Sequence, residues 1–513
     1  MNFPVWEVGW GLPMLIAVVA ILHVVIAHFA IGGGFFLAIY EGLAQRQGDM
    51  NLLNYVRRHS RFFLLLTLIF GAMTGVWIWF TIGLINPTGT SSLIHIFVWL
   101  WATEWVMFIV EITSALVYYF GWDRLSPHLH RKVMWVYVGA AWGSLVVING
   151  IVTFMLTPGG WLADGNIWKG FFNPTYFPSL VFRTLLSLLM AGLFAFITGS
   201  RISEADLKRK VLRIAGGWSL MALALMVPAA LWYYLSLPEG VGSFLAGSWR
   251  AVENSRTVLI YAALVLALGV VVSPLIRGAR MSLGEAIALL VVGTVLFGSF
   301  EWFREAARKP YIIWGYLYSN GIRQKEVPTL KQAGVIGTAK WVRSDPSLQG
   351  KDLYRNLCAP CHSLTGYNPL ATRIAEKGWN AEELTQLVMR IEHFRGAMPP
   401  FVGNGDEASA IAQYLTSEAQ KTGITPLPRD GKVIWERNCG LCHTLQGFRP
   451  LKDALSGYGI EDLKEILLTS EELSPAMPPF MGSEEEAKRL AEYLHTSLPV
   501  SSTEKSSTQG DKR

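Results

Sequence analysis

Eight long apolar stretches within the first 310 residues constrain this chain more than any other feature. A helix needs about 20 apolar residues to cross a bilayer, so each stretch predicts a membrane span. Only 16% of the 513 residues are charged, against about 25% in soluble domains, which excludes a chain that is soluble throughout. The predicted spans cover residues 12–40, 62–86, 93–120, 132–157, 179–200, 212–236, 257–276 and 283–303.

The loops between these spans differ in basic residues. One alternating set carries 14 Lys and Arg and the opposite set carries 3. Cytoplasmic loops are enriched in Lys and Arg, so both ends of the eight-span block are predicted to face the periplasm of a bacterial inner membrane. The net charge of +6 therefore does not indicate a nucleic-acid partner. No small-residue cleavage site follows the first stretch, which predicts a retained helix rather than a signal peptide.

A sequence that occurs twice after residue 340 carries the chemistry of the carboxyl-terminal part. LYRNLCAPCHSL is followed by AMPPF and DEASAIAQYLTS, and VIWERNCGLCHTL is followed by AMPPF and EEEAKRLAEYLHTS. The first cysteines of the two copies are 81 residues apart, which predicts two tandem domains. All four cysteines lie in C-x-x-C-H, the motif that attaches haem c.

Each copy also contains a candidate sixth iron ligand, Met398 or Met477, within Met-Pro-Pro. Ligation by His and Met raises the reduction potential and suits electron transfer. Two zinc sites or two disulfides are the alternatives, and His393 is a rival to Met398. The residues predicted to hold two covalent haem c groups are Cys358, Cys361, His362, Met398, Cys439, Cys442, His443 and Met477, with iron bound by the two histidines and the two methionines.

The two copies resemble class I cytochrome c domains, and the helix containing A-x-Y-L is expected to pack across the amino-terminal helix. The predicted fold is all-α, an eight-span transmembrane helical bundle followed by two small all-α cytochrome c domains. Haem c is attached outside the cytoplasm, which agrees with the orientation above. The predicted boundaries are 1–310 for the bundle, 311–345 for a linker, 346–424 and 425–500 for the cytochrome c domains, and 501–513 for a disordered tail.

Ionisable residues within the spans are expected to be functional because burying them in a membrane is costly. The first span carries His23 and His28, and the third carries Glu104 and Glu111, which are seven residues apart and share a helical face. The eighth span ends with Glu301 and Glu305.

The sequences around these residues resemble the large subunit of cytochrome bd quinol oxidases. The similar segments are LHVVIAHFAIGGGFFLAIYE, FGAMTGVWIWF, VEITSALVYYFGWDRL and EAARKPY. The resemblance implies one or two b- or d-type haems, with His23 and Glu305 as iron ligands and Arg308 beside a haem propionate. It further implies proton supply through Glu111 and, less directly aligned with the family, Glu104.

The chain departs from this family where quinol is oxidised. Arg183 stands where the fifth span of the family supplies a histidine to a low-spin haem. Near Arg256, Thr257 and Val258 stand where a methionine partner is expected, and the long quinol loop is reduced to residues 237–256. The sequence therefore predicts that the quinol site is lost.

Several of these residues have a structural alternative. His23 could be a hydrogen-bonded core histidine, Glu305 a partner of Arg308, and Glu111 part of a polar pocket. Four further residues have open roles. His28 is expected to be structural or part of a proton network, His95 to pack at the interface or bind a second haem, and His59 to lie on a solvated face. Arg183 lies four residues inside the fifth span and could extend outward towards water.

The favoured function is an oxidoreductase that reduces O₂ in the manner of cytochrome bd, with electrons from c-type haems. The alternatives are an electron-transfer cytochrome without O₂ reduction, a haem reductase for another small molecule such as nitric oxide, and a subunit that anchors cytochromes to a larger complex. A periplasmic electron donor or acceptor is expected, and the sequence leaves open a homo-oligomer or further membrane subunits.

Overall fold

The computed structural model describes residues 8–239, 241, 250–338, 345–394, 398–445, 449–474 and 476–498. The predicted tail at 501–513 and residues 240 and 242–249 of the loop at 237–256 lie outside these residues. By their contacts the residues form two units. The first holds the spans, the chain up to Val327 and the segment Arg355–Asn368, and the second holds Pro328–Tyr354 and the chain from Pro369 onwards.

The first unit confirms the predicted all-α bundle. Among the described residues, eight helices are long and apolar enough to cross a membrane, and they are named spans one to eight in chain order. They cover Leu12–Gln47, Met50–Ile85, Val98–Gly121, Pro127–Leu156, Tyr176–Ser200, Ala205–Leu235, Val252–Arg280 and Leu283–Ala307.

Most of these helices extend beyond the apolar stretches from which they were predicted. Span two begins at Met50 rather than at residue 62, because span one ends at Gly48 in the left-handed conformation (φ 64°) and Asp49 caps the next helix by accepting a hydrogen bond from Leu52 N. Residues 50–61 are polar on one face only, so hydropathy alone marks too late a start. A π-helical turn, Leu65–Gly71, interrupts span two, and another, Val271–Arg277, interrupts span seven.

Spans one and five pack closely at the centre of the bundle. A Cβ at Gly32 would lie 1.8 Å from the carbonyl oxygen of Ser187, so only glycine permits this approach. Aromatic and aliphatic side chains from several spans fill the surrounding core, among them Phe29, Phe36, Leu189 and Phe196. Short helices Pro87–Ile96, Trp161–Asp164 and Ile167–Phe171 lie between spans.

The segment after span eight, predicted as a linker, has secondary structure of its own. Strands Tyr311–Ile313 and Leu317–Tyr318 pair antiparallel. A 3₁₀ turn, Gln324–Glu326, and a helix, Val327–Ala333, follow.

The two carboxyl-terminal copies have the predicted helical packing. In the first copy a Cβ at Gly350 would lie 2.2 Å from Ala410 O and 3.0 Å from Tyr414 Cβ, and in the second a Cβ at Gly431 would lie 2.4 Å from Tyr493 Cβ. These tyrosines belong to the two A-x-Y-L sequences, so glycine lets the first and last helices cross in each copy. The described helices are Pro346–Leu357, Leu370–Lys377, Ala381–Val388, Ile391–His393 (3₁₀) and Gly405–Lys421, then Gly431–Asn438, Lys452–Leu455, Ile460–Leu468, Ser470–Leu473 and Glu484–Ser497.

Candidate functional site

The two C-x-x-C-H motifs fold into the same turn. In the first, the backbone N–H groups of Cys361 and His362 both donate to Cys358 O at 3.0 Å. In the second, the equivalent bonds to Cys439 O measure 3.0 and 2.9 Å. All four cysteines are described and none is in a disulfide, and no three His, Cys, Asp or Glu side chains among the described residues gather as they would around a zinc ion.

The histidine of each motif is held by the carbonyl group six residues later. His362 Nδ1 is 3.2 Å from Asn368 O, and His443 Nδ1 is 3.1 Å from Arg449 O. Asn368 and Arg449 are the two non-glycine residues of the described chain with positive φ, at 53° and 44°. An imidazole that donates from Nδ1 presents the lone pair of Nε2 to a metal. Both motifs therefore fit an iron ligand at the histidine.

The first thiol of each motif has a raised pKa. Burial, together with the neighbouring cysteine of the motif, raises the pKa of Cys358 and of Cys439 to about 12. Both sulfurs are therefore protonated at neutral pH in the protein without haem. Met398 and Met477 are both half-buried, and their ligation of iron stays a prediction.

The first haem-attachment segment lies against residues of the membrane unit. Tyr367 N donates to Trp10 O at 3.0 Å, and a Cβ at Gly366 would lie 2.7 Å from Gly9 O. Lys309 Nζ, just after span eight, is 3.9 Å from Cys361 Sγ and 3.2 Å from Glu305 Oε1. One lysine therefore contacts both a predicted haem-attachment residue and a predicted membrane haem ligand.

His23 of span one faces the FGAMTG sequence of span two. Its Nδ1 is 3.2 Å from Thr74 Oγ1, and Thr74 Oγ1 donates its own proton to Phe70 O at 2.6 Å. The histidine must therefore donate from Nδ1 in this contact, which leaves the lone pair on Nε2. A Cβ at Gly75 would lie 3.3 Å from the ring, so glycine keeps the space beside it open. This arrangement fits an axial haem ligand.

His28 has the same tautomer in a drier environment. It is 3% exposed, its Nδ1 donates to Val24 O at 2.8 Å, and its Nε2 is buried without a hydrogen-bond partner. A buried polar atom without a hydrogen-bond partner is costly. His28 Nε2 therefore also fits the role of an iron ligand to a haem bound in the holoprotein.

Glu305 forms an ion pair with the residues that follow it. Both carboxylate oxygens accept hydrogen bonds from Arg308, at 2.7 and 2.9 Å, and Lys309 is the second cation beside them. The alternative role of Glu305, as an ion-pair partner of Arg308, is therefore present in the structure. A carboxylate has about four lone-pair sites, so iron ligation by Glu305 remains compatible with these bonds and stays a prediction.

Arg183 does not extend towards water. Its side chain is 7% exposed and its Nη2 lies 2.8 Å from Glu301 Oε1, while Arg304 Nε donates to Glu301 Oε2 at 2.8 Å. Two donors of this cluster, Arg183 Nε and Arg304 Nη1, have no hydrogen-bond partner among the residues that the structure describes. A buried cluster with two guanidinium groups, one carboxylate and unpaired donors fits an anionic group, such as a haem propionate, better than a haem iron.

The two acids of span three lie along the boundary with span four. Ser144 Oγ donates to Glu104 Oε1 at 3.1 Å. Glu111 is half-buried and interacts electrostatically with Tyr137, a core residue of span four. Their roles as proton carriers stay a prediction.

The prediction of a solvated His59 is wrong. His59 is 1% exposed, stacks against Tyr55 and hydrogen-bonds through Nδ1 to Thr198 Oγ1 at 2.8 Å. It lies on the apolar face of the helix that begins at Met50, where position i+7 from Leu52 turns inward. His95 is exposed, and its Nδ1 donates to Ser91 O at 2.7 Å, which favours the interfacial alternative.

Sequence reasoning missed a buried cluster near the basic ends of spans one, three and four. Glu41 is 0% and His130 2% exposed, and His130 Nδ1 lies 2.8 Å from Glu41 Oε1. The Tyr118 hydroxyl donates to Glu41 Oε2 at 2.8 Å. Glu41, Tyr118 and His130 each lie within a few residues of a polar loop. From the sequence alone they are therefore indistinguishable from ordinary polar residues at helix ends. The one available signal was the charge of Glu41 at the end of the apolar AIY run.

Comparisons with known proteins assign both parts of the chain. Residues 14–233 match the family model of cytochrome bd terminal oxidase subunit I, and residues 346–415 and 426–494 each match that of cytochrome c oxidase, cbb3-type, subunit III. The chain thus joins a cytochrome bd subunit I domain to tandem cytochrome c domains.

Two related proteins agree with this assignment. A putative cytochrome bd menaquinol oxidase subunit I of Bacillus subtilis (strain 168) is 32% identical over 127 residues, which make up 23% of this chain and 28% of the relative. The solved structure of bd oxidase from Geobacillus thermodenitrificans has a TM-score of 0.53 at 16% identity, covering 60% of this chain and 89% of that one. The structural similarity concerns the fold of the bundle.

Proposed function

We propose, from the premise that a cytochrome bd subunit I domain is joined to cytochrome c domains, that this protein is an O₂ reductase fed by c-type haems. The coarser assignment, a membrane-bound multihaem protein of respiratory electron transfer, follows from the family matches. The proposal adds the terminal acceptor, the electron source, two covalent haem c groups and an oxidoreductase activity.

The contact at Lys309 is the observation that carries the proposal. Lys309 Nζ lies 3.9 Å from Cys361 Sγ and 3.2 Å from Glu305 Oε1. A haem attached to Cys361 would therefore lie beside the end of span eight, where we propose, from the resemblance of EAARKPY to the family, that Glu305 and Arg308 hold the membrane haem. Electrons could pass from the cytochrome c part into the bundle at this point without crossing the bilayer.

The surroundings of Arg183 support a source of electrons other than quinol. A guanidinium is always protonated and has no lone pair for iron, and Arg183 is committed to Glu301 in a buried ion pair. In this proposal Arg183 therefore cannot supply the fifth-span ligand of the low-spin haem that takes electrons from quinol in the resembling family. A soluble periplasmic electron donor takes the place of quinol in the proposal.

A membrane haem with an open coordination position supplies the site at which O₂ binds and is reduced. His23 and Glu305 would hold such a haem, with His28 as a further ligand candidate, and Arg308 would contact a propionate. Reduction of O₂ to water also consumes protons, which Glu111 and Glu104 would deliver from the cytoplasmic side. This requires the orientation predicted from the basic loops, with the cytochrome c domains and both termini in the periplasm.

The test is O₂ consumption by the purified full-length protein with ascorbate and a small mediator. We expect activity that cyanide inhibits, carbon monoxide binding at a haem other than the c haems, and no direct oxidation of quinol. Glu305→Ala should lose the non-c haem spectrum and the activity but keep the c spectrum. Glu285→Ala is the matched control, because Glu285 lies at the other end of the same helix and pairs with Arg277.

Two outcomes contradict the proposal. A protein that binds carbon monoxide but consumes no O₂ with any donor is an electron-transfer cytochrome, the alternative function. Rapid, inhibitor-sensitive oxidation of quinol would show that the quinol site is present despite Arg183.

A further inference from the structure

The buried contact between Glu41 and His130 must contain a proton. His130 Nε2 lies 2.8 Å from the carbonyl oxygen of Tyr118, which can only accept, so Nε2 carries a hydrogen. His130 Nδ1 lies 2.8 Å from Glu41 Oε1, and two lone pairs cannot meet at that distance. The pair is therefore either an imidazolium with a carboxylate or an imidazole with a carboxylic acid. In both states it is neutral and holds one proton that can move between the two residues.

The other neighbours of Glu41 permit both states. The Tyr118 hydroxyl donates to Oε2 at 2.8 Å, and Gln45 Nε2 donates to Oε1 at 2.9 Å. The ring of Tyr118 stacks on His130 with a centroid distance of 4.2 Å. Arg131 approaches Gln45 at 3.4 Å and leads towards the basic end of the bundle. No full charge is left unpaired in this group, so the low dielectric of the core does not fix the proton on one partner.

This pair stands at one end of a row of polar side chains on span three. Tyr118 follows Ser114 by four residues, Glu111 by seven and Glu104 by fourteen, so these residues share one helical face. At about 1.5 Å of rise per residue, the row extends about 21 Å, against a hydrocarbon thickness of about 30 Å. Its inner end is the pair Glu41–His130, and its outer end is Glu104, which contacts Ser144 on span four.

We infer that Glu41 and His130 form a proton-loading site that supplies Glu111 through Tyr118 and Ser114. The inference deepens the proposed function, on which it rests, by naming where protons join the path to the haem site. An electron added to a buried haem leaves an uncompensated charge in a medium of low dielectric, which favours uptake of a proton. Release of this proton towards Glu111 must be coupled to uptake of another from the basic end, because the pair without its proton would carry a charge of −1 and bring two lone pairs together at 2.8 Å.

The experiment measures proton uptake by the full-length holoprotein when its haems are reduced anaerobically, with a pH indicator in weakly buffered solution. We expect Glu41→Gln to slow uptake about a hundredfold, the usual scale for the loss of a proton-transfer group, with haem content unchanged. Glu41→Asp, which keeps a carboxyl, should restore most of the rate. Thr294→Val is the matched control, since the Thr294 hydroxyl donates to Leu290 O within span eight, away from Glu41, and this variant should take up protons at the wild-type rate.

A purely structural role gives a different pattern. Uptake at the wild-type rate in Glu41→Gln, or an equal loss in Thr294→Val, overturns the inference. If Glu41→Gln does not assemble with haem, Tyr118→Phe decides, because it removes one hydrogen bond from the same carboxyl, and unchanged uptake there also overturns it. If proton uptake depends on Glu41 but the wild-type protein consumes no O₂, the proposed function is refuted and the present inference stands. Normal O₂ consumption in Glu41→Gln refutes this inference alone.

Discussion

The two cytochrome c copies share one motif geometry but have different surroundings. Both fold C-x-x-C-H into the same turn and hold the histidine through a carbonyl six residues later. The segment of the first copy lies within the membrane unit beside Lys309, and its Asn368 side chain donates to Cys361 O at 2.9 Å. In the second copy Arg449 donates instead to His393 O, at 3.2 Å. The motif thus determines that haem is attached, whereas the neighbours determine what each haem can exchange electrons with.

The two copies also differ in net charge. Residues 425–500 contain eight Lys and Arg against twelve Asp and Glu, a formal charge of −4, whereas residues 346–424 contain seven against eight, a charge of −1. An acidic surface attracts a basic partner and raises its association rate. Within the proposed function, we therefore expect the first copy to deliver electrons into the membrane and the second to receive them from a soluble carrier.

Removal of the haem-attachment cysteines gives the largest predicted difference between the copies. Cys358→Ala with Cys361→Ala, and Cys439→Ala with Cys442→Ala, should each remove about half of the c-type absorbance, as expected for two equivalent sites. Only the first pair should abolish reduction of the membrane haem by ascorbate and mediator in stopped-flow measurements. If both double variants abolish reduction of the membrane haem equally, electrons from the mediator pass through both copies in series. The expected division of roles between the two copies would then be wrong.

The methionines test ligation and the division together. Met398→Ala and Met477→Ala should each open a coordination position and lower the reduction potential of one c haem, since His/Met ligation raises it. New carbon monoxide binding in the c-type spectrum measures the first effect. Electron delivery to the membrane should slow in Met398→Ala and change little in Met477→Ala. An unaltered low-spin spectrum in Met398→Ala would point to His393 as the ligand.

Lys309 should affect the potential of the first haem only. An ammonium beside Cys361 favours the reduced haem, which carries one positive charge fewer. Lys309→Met should lower the midpoint potential of one c haem by up to about 59 mV. This shift corresponds to a tenfold change in the ratio of reduced to oxidised haem for a one-electron couple. Spectroelectrochemical titration measures it, with Lys309→Arg expected near wild type. Lys169→Met, at an exposed pair with Asp164, is the control. A shift in both c haems would contradict the contact.

The smallest predicted effect concerns backbone strain at the residues with positive φ. Asparagine tolerates this conformation better than arginine does, by about 1 kcal/mol. Arg449→Asn should therefore stabilise the second copy and Asn368→Arg should destabilise the first, by about 1 kcal/mol each. Denaturation followed through the c-type absorbance checks both signs. Equal stability in all variants would mean that the two turns relax without strain.

The sequence by itself determined those features whose cause is local. Apolar length predicted eight spans, because a bilayer demands it of every crossing helix. C-x-x-C-H predicted haem attachment, because the two thiols that bind the haem and the imidazole that binds its iron lie within five consecutive residues of one turn. The A-x-Y-L sequence also predicted the crossing of the first and last helices in each cytochrome c copy, and the structure places Gly350 and Gly431 beside its tyrosines.

Only the tertiary structure decided which polar groups meet inside the bundle. His59 is buried and Arg183 is paired with Glu301, 118 residues away, because helix rotation and packing determine which face of each span turns inward. Glu41 and His130, 89 residues apart, form their contact for the same reason. Hydropathy records how apolar a stretch is on average and says nothing about the partner of a single polar residue within it. Such partners lie on other helices, so their positions depend on the packing of the whole bundle.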